Sequence, residues 1–412
     1  MAPTRRDPCG RPASRFEDRP ELVARPVSEA RNLEDLLTGS CPSFGGGYLR
    51  RVWRLLDEAV GRGVPMTLAV SGPVTASGQH LAWLNPLLET GWFCALSTTD
   101  AVCYHDGHRS LREAAEHSFR EVPIHGDDGG LREEAIIRIT DIGFPEEILL
   151  GQDRFLRQIL RRPEFQRRMS GTEFRNLLGR AYAEVEKAHG APEGLLALCR
   201  RKAIPVFVGA PSDGSVFLNS LALWATEPGH AFDLDLHLEV FESCAIHWWG
   251  VRESESRALG TLILGGGVPK NFNLQPEPAL SQILGLADVP GYLYDIQITT
   301  APVSDGSLSS CPPAEAVTWG KVDKDHYRRT TESMPADYSM VMPVLVQALL
   351  EKRDRLRAEA EAEGLEAWRA RNPDRAGWLR DPAGYRLYER REELLEALRR
   401  ELRRRRSRTA DT

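Results

Sequence analysis

The stretch AEAVTWGKVD, residues 314–323, sets a lysine behind a Trp-Gly pair and six residues after a glutamate. Lysine is scarce in this chain: Lys187, Lys202, Lys270, Lys321, Lys324 and Lys352 are six among 53 basic residues, and arginine supplies the rest. A lysine amine can do what a guanidinium cannot. Once desolvation or a neighbouring cation lowers its pKa it is neutral, and it can attack an electrophilic carbon to form an imine. Arginine stays protonated and is a poor nucleophile. The surrounding segment ITTAPVSDGSLSSCPPAEAVTWGK (298–321) also carries Asp305, Ser307, Ser309, Glu315 and Trp319. Carboxylates and an aromatic face hold a cationic amine by ion pairing and cation–π attraction. The competing reading makes Lys321 a helix-end cap or a surface ion pair, and spacing alone leaves both open.

A second group of residues suits phosphate. Ser71-Gly72 with Ser77, Thr98-Thr99-Asp100, Asp213-Gly214-Ser215 and Gly265-Gly266-Gly267 each follow a short apolar run. Small and hydroxyl residues there let backbone N–H groups approach phosphate oxygens. A dinucleotide is therefore a candidate ligand, although no GxGxxG with a trailing acid is present. Cys103, His105 and His108 in CYHDGHR match no closed zinc pattern and lack a nameable fourth ligand, so the metal reading is rejected. The tryptophans of HWWG (247–250) read as core or interface packing.

The elements that must position these residues follow from periodicity. VPMTLAVSG (64–72), WFCALSTT (92–99), IPVFVGAP (204–211), TLILGGG (261–267) and YLYDIQITT (292–300) read as buried strands. YLRRVWRLLDEAVGRG and DRFLRQILRR space their apolar residues three and four apart, as helices covering a parallel sheet do. The expected fold is α/β, a Rossmann-like, doubly wound, mostly parallel sheet with ligands at the carboxyl ends of its strands. Residues 1–30 are expected to form a flexible polar arm and 31–352 the catalytic domain. Residues 353–412 read as a charged helical extension whose Leu394, Leu395, Leu398 and Leu402 form one stripe of a solvated amphipathic helix.

Bulk properties remove whole classes. A net charge of −6 over 412 residues argues against nucleic acid or an anionic membrane as the main partner, even with the arginine cluster at 403–408. Seven scattered cysteines without a CxxC pair argue against a disulfide framework. No apolar run has the length of a secretory signal or membrane span, so the expected setting is the cytoplasm.

Four segments together, ILGGGVPKNF (263–272), SDGS (212–215), TTAPVSDGSLSSCPPAEAVTWGKV (299–322) and ADYSMVMPVL (336–345), resemble the deoxyhypusine synthase family in order and approximate spacing. The resemblance implies NAD-dependent transfer of an aminobutyl unit from spermidine through a lysine imine, in a homotetramer with sites at subunit interfaces. Lys321 falls on the lysine position. Glu315 and Trp319 fall on residues that hold the polyamine, and Asp305 and Ser309 on positions at the substrate and nicotinamide. Thr98, Thr99, Asp213, Thr300 and Asp337 fall on cofactor contacts. Several positions depart from the eukaryotic and archaeal pattern: Asn271 stands for a histidine, Gln275 for an asparagine, Tyr104 and His105 for two glutamates, and Leu308 and Leu218 for two polyamine-contacting aspartates. Fewer acids weaken a site for a fully protonated triamine. The GGGVPKNF form resembles the bacterial branch, whose members are linked to small-amine acceptors such as putrescine, giving homospermidine. Transfer to a protein lysine, and non-catalytic NAD or polyamine binding, are the alternatives.

Overall fold

The computed structural model describes residues 21–72, 74–111 and 119–410. Most of the expected N-terminal arm, with Cys9, lies outside the described residues. Six strands form one parallel sheet: β1 (Met66–Val70), β2 (Phe93–Thr98), β3 (Val206–Val208), β4 (Gly260–Leu264), β5 (Tyr294–Thr299) and β6 (Thr331–Pro335). Strands β1, β2, β3 and β5 fall inside apolar runs read from sequence, and β4 begins at Gly260, one residue before its run. Every residue of β1 through β5 is buried, as expected of parallel strands covered on both faces. The mixed sequence TESMP of β6 gave no periodic signal, and this strand lies at the sheet edge, where pairing is needed on one side alone.

The spatial order is β6-β5-β4-β1-β2-β3. Chain direction across the sheet therefore reverses between β1 and β4, which pair in register from Met66 with Gly260 to Val70 with Leu264. In doubly wound sheets a crevice opens at this reversal, outside the carboxyl ends of the strands.

The covering helices are α1 (Phe44–Gly61), α2 (Asp100–Ser110), α3 (Glu146–Leu160), α4 (Gly171–His189), α5 (Ser215–Thr226), α6 (Leu236–Arg252), α7 (Gly267–Leu274), α8 (Pro313–Val317), α9 (Tyr338–Glu363) and α10 (Arg391–Ala410). A small antiparallel sheet of Arg120–Glu121, Ile136–Ile139 and Ile142–Pro145 is inserted between β2 and β3. Its strands are too short for periodicity to reveal.

The C-terminal part differs from the expected solvated extension. Helix α9 runs without a break across position 352. Trp368 and Trp378 are each 1% exposed within the main core, and Trp378 meets Trp92 edge-on with ring centroids 5.1 Å apart. On α10, Leu394, Leu395 and Leu398 are buried in a second core with Ile246 and Trp249 of α6. The stripe was visible in the sequence. Its occupant was not, because an amphipathic pattern does not say which surface will cover it. Within HWWG, Trp249 packs in that core and His247 bonds to the Pro290 carbonyl at 2.8 Å, consistent with the packing reading.

Candidate active site

The carboxyl ends of the six strands form a continuous crest. Ser71 and Gly72 follow β1, Thr98 ends β2 and Thr99 caps α2, Asp213 follows β3, Gly265, Gly266 and Gly267 follow β4, Thr300 follows β5 and Asp337 follows β6. Ser77 stands farther along the loop after β1, its hydroxyl donating to the Val74 carbonyl.

At the reversal point, backbones approach closely. The Ser71 hydroxyl oxygen accepts the Gly266 N–H, and the Ser71 N–H donates to the Leu264 carbonyl at 3.1 Å. Gly265 has φ +80°, and a Cβ there would stand 2.9 Å from the Ser71 hydroxyl oxygen. Only glycine meets both demands. Tyr338 at the start of α9 donates to the Ser71 carbonyl at 2.7 Å, and Thr98 donates to the Val70 carbonyl at 2.8 Å. Gly266 caps α7, so the positive end of that helix faces the crest.

On the opposite side of α7 lies a cavity of about 650 Å³, lined by Lys270, Asn271, Gln275, Leu308, Cys311, Glu315, Trp319, Lys321 and several apolar side chains. AEAVTWGK builds one wall. Pro313 starts the short helix α8, where a missing N–H costs nothing. The Lys321 N–H then donates back to the Ala316 carbonyl at 3.1 Å, and Gly320 turns the chain with φ +79°. The Tyr292 N–H holds the Lys321 carbonyl at 2.9 Å, and Tyr292 and Val322 form a parallel bridge just before β5. Lys321 is thus fixed by backbone on both sides while its side chain faces the cavity. Its ammonium lies 5.8 Å from the Trp319 ring centroid. Burial lowers the Lys321 pKa, opposed by the nearby Cys311 and Glu277.

Lys270 forms the cavity floor. It is 1% exposed and donates to the Gln297 side chain and, at 2.5 Å, to the Cys311 carbonyl. Burial lowers its pKa, and the buried Asp295 opposes that shift.

The cavity brings together Asn271, Gln275, Glu315, Trp319 and Lys321 from the sequence-based candidates. Ser309 sits at the junction with the crest, its hydroxyl oxygen 3.3 Å from where a Gly267 Cβ would be. Asp305 is exposed and organises its own turn, accepting from the Ser310 hydroxyl at 2.6 Å and the Ser307 N–H at 2.7 Å. These bonds lower its pKa. His105 is not part of the cavity wall within this chain. Helix α2 carries it beside Tyr104 and His108, with 3.1 Å between the two histidine Nδ1 atoms, and burial lowers its pKa to about 4. Spacing did not single out Lys270, Glu277 or Tyr338. Lysine scarcity was the available signal for the first, the ADYSMVMPVL segment for Tyr338, and none existed for Glu277.

Sequence comparison gives the family. The deoxyhypusine synthase family profile matches residues 38–349. A deoxyhypusine synthase-like protein of Nostoc punctiforme is 36% identical over 334 residues, 81% of this chain and 83% of that protein. One of Cyanothece sp. is 36% identical over 341 residues, 80% of this chain and 82% of that one. A Methanosarcina mazei protein named "Probable deoxyhypusine synthase 2" is 29% identical over 286 residues, 69% of this chain and 76% of the other. The chain belongs to the deoxyhypusine synthase family, a family of transferases.

Proposed function

We propose that this protein transfers the aminobutyl group of spermidine to a small amine acceptor in an NAD-dependent reaction, with putrescine giving homospermidine, and that Lys321 carries the group as an imine. The observation that carries this reading is a lysine of lowered pKa facing a cavity with little negative charge. Among the described residues lining it, Glu315 is the one carboxylate, while Asn271, Gln275, Gln282 and Leu308 supply uncharged walls. Such a cavity suits amines carrying fewer charges than a fully protonated polyamine. The identity of 36% to the deoxyhypusine synthase-like proteins, against 29% to the Methanosarcina relative, is in keeping with the bacterial-branch reading.

The crest fits a dinucleotide. Gly265 and Gly266 leave open the space a Cβ would take beside Ser71, and the start of α7 offers backbone donors to a pyrophosphate. Ser71, Gly72, Ser77, Thr98, Thr99, Asp213, Thr300 and Asp337 are the crest residues proposed to hold it. NAD bound there would supply the hydride acceptor for oxidising the carbon beside a secondary amine and would return the same hydride to the imine formed with the acceptor amine. The chain's residues do the rest. Trp319 and Glu315 hold the cationic amine, Ser309 and Asp305 shape the passage between crest and cavity, and Lys321 captures the butyl imine when 1,3-diaminopropane leaves. The acceptor amine then displaces Lys321. A homotetramer with shared sites is in keeping with exposed Leu218, Leu221 and Trp224 on α5, and with Ile283 and Trp319 at the cavity. No helix among the described residues is long and apolar enough to cross a membrane.

The test is mass spectrometry of the amines formed from NAD and spermidine, with and without putrescine or agmatine. Release of 1,3-diaminopropane with an acceptor-dependent new polyamine is expected. Labelling of a translation-factor lysine instead would indicate a protein acceptor, and NAD binding without any amine product would indicate a binding role.

A further inference from the structure

One buried acid behind the lysine has no part in the proposed amine transfer. Glu277 stands in the turn after α7, 4% exposed, and its Oε2 atom has no hydrogen-bond partner. A buried carboxylate oxygen without a partner is costly unless the site has a use for it. Its neighbours Gln275 and Pro278 line the cavity, whereas Glu277 itself lies beneath the Trp-Gly-Lys turn. A Cβ on Gly320 would stand 2.6 Å from Glu277 Oε2. The carboxylate is therefore packed against the backbone immediately preceding Lys321, and Gly320 is required there both for its positive φ and for this approach.

We propose that Glu277 is the proton-holding partner of Lys321, taking the ammonium proton as the lysine becomes a nucleophile and returning it as the leaving amine departs. The inference rests on the imine reaction above. Burial raises the Glu277 pKa, with the Ser281 hydroxyl and the Lys321 charge opposing it, and burial lowers that of Lys321. Both shifts disfavour the charged pair relative to the neutral one. The other charged or titratable groups facing this pair are Lys270 and Cys311 on the cavity floor, Glu315 on its wall and Asp295 behind Lys270.

A Lys321 N–H bond breaks and an O–H bond forms on Glu277 through an intervening water, because the two side chains make no direct ion pair. The freed lone pair forms a C–N bond to the substrate iminium carbon. The departing nitrogen then leaves with the old C–N electron pair and takes two protons, one from the tetrahedral lysine nitrogen and the one held by Glu277. Lys321 is left as a protonated imine, the amine leaves as an ammonium, and Glu277 is again a carboxylate.

Glu277 exchanges its proton with Lys321 and the leaving amine, and its test reads the lysine directly. Acetic anhydride labelling of the Lys321 peptide, measured against pH by mass spectrometry without NAD or amine, reports the lysine's titration. In Glu277→Gln the labelling midpoint is expected to fall by about half a unit or more, because a negative neighbour has been removed. The transfer rate is expected to fall about tenfold or more although more of the lysine is neutral, since a general acid–base group contributes rate beyond charge. Glu277→Asp should retain part of both properties and guards against a folding defect in the glutamine variant. An unchanged midpoint, or a lower midpoint with an unchanged or faster rate, overturns the proposal. Absence of transfer by the wild-type protein overturns the functional reading instead, and the labelling midpoint then decides the pairing alone.

Discussion

The ammonium of Lys321 lies 5.8 Å from the centroid of the Trp319 ring, two residues away along the same tight turn. The indole and the amine therefore face one cavity from adjacent positions, so that a cation held against the ring would lie beside the amine, as the proposed reaction requires. Trp319 is 58% exposed, so Trp319→Ala should leave the melting temperature nearly unchanged. The expected effect is a rise in KM for the amine of about three- to tenfold, the size of a cation–π contact at a partly open site. Trp319→Phe should retain most of the affinity. Steady-state kinetics checks both.

Lys321→Ala and Lys321→Arg should both abolish transfer while staying within about 1 kcal/mol of wild-type stability, because the side chain is half-buried and the turn is held by backbone bonds. The arginine variant separates nucleophilicity from charge. Transfer at the wild-type rate by either would exclude the imine.

Gly320→Ala places a side chain at φ +79° and against Glu277. A cost of about 1–3 kcal/mol in urea denaturation is expected from the backbone alone. Transfer should fall further than stability does, because the lysine that follows is displaced.

Asp295 is fully buried on β5, and both of its carboxylate oxygens lack hydrogen-bond partners. Burial pushes its pKa up to about 7, with the Lys270 charge opposing. Its folded pKa is above the unfolded one, so the folded state binds the extra proton between about pH 4 and pH 7. This contribution is present at low pH and is lost as pH rises through that window. Asp295→Asn should flatten the fall in stability between pH 4 and pH 7 relative to wild type, measured by denaturant midpoints across that range.

Leu398 is fully buried between α10 and α6. Leu398→Ala should cost about 2–5 kcal/mol, as for other large-to-small changes in a packed core. A solvated C-terminal helix would show almost no change in the same denaturation experiment.

Five of the six strands were legible because parallel strands buried on both faces are largely apolar, although β5 also buries Asp295 and Gln297 within its run. AEAVTWGK was legible because a rare lysine beside an aromatic and an acid is an unusual combination, and the ILGGGVPKNF segment because glycines permit close backbone approach. Local sequence determined these elements and the candidate chemistry. It could not determine that Ser71 and Gly266, 195 positions apart, share a hydrogen bond, since that depends on which strands become neighbours at the sheet's reversal point. It could not distinguish a solvated stripe on α10 from one covering a second core, place Glu277 beneath Gly320, or keep His105 off the cavity wall. These are relations between distant segments, created by packing and by the exclusion of water, and no periodicity within one segment records them.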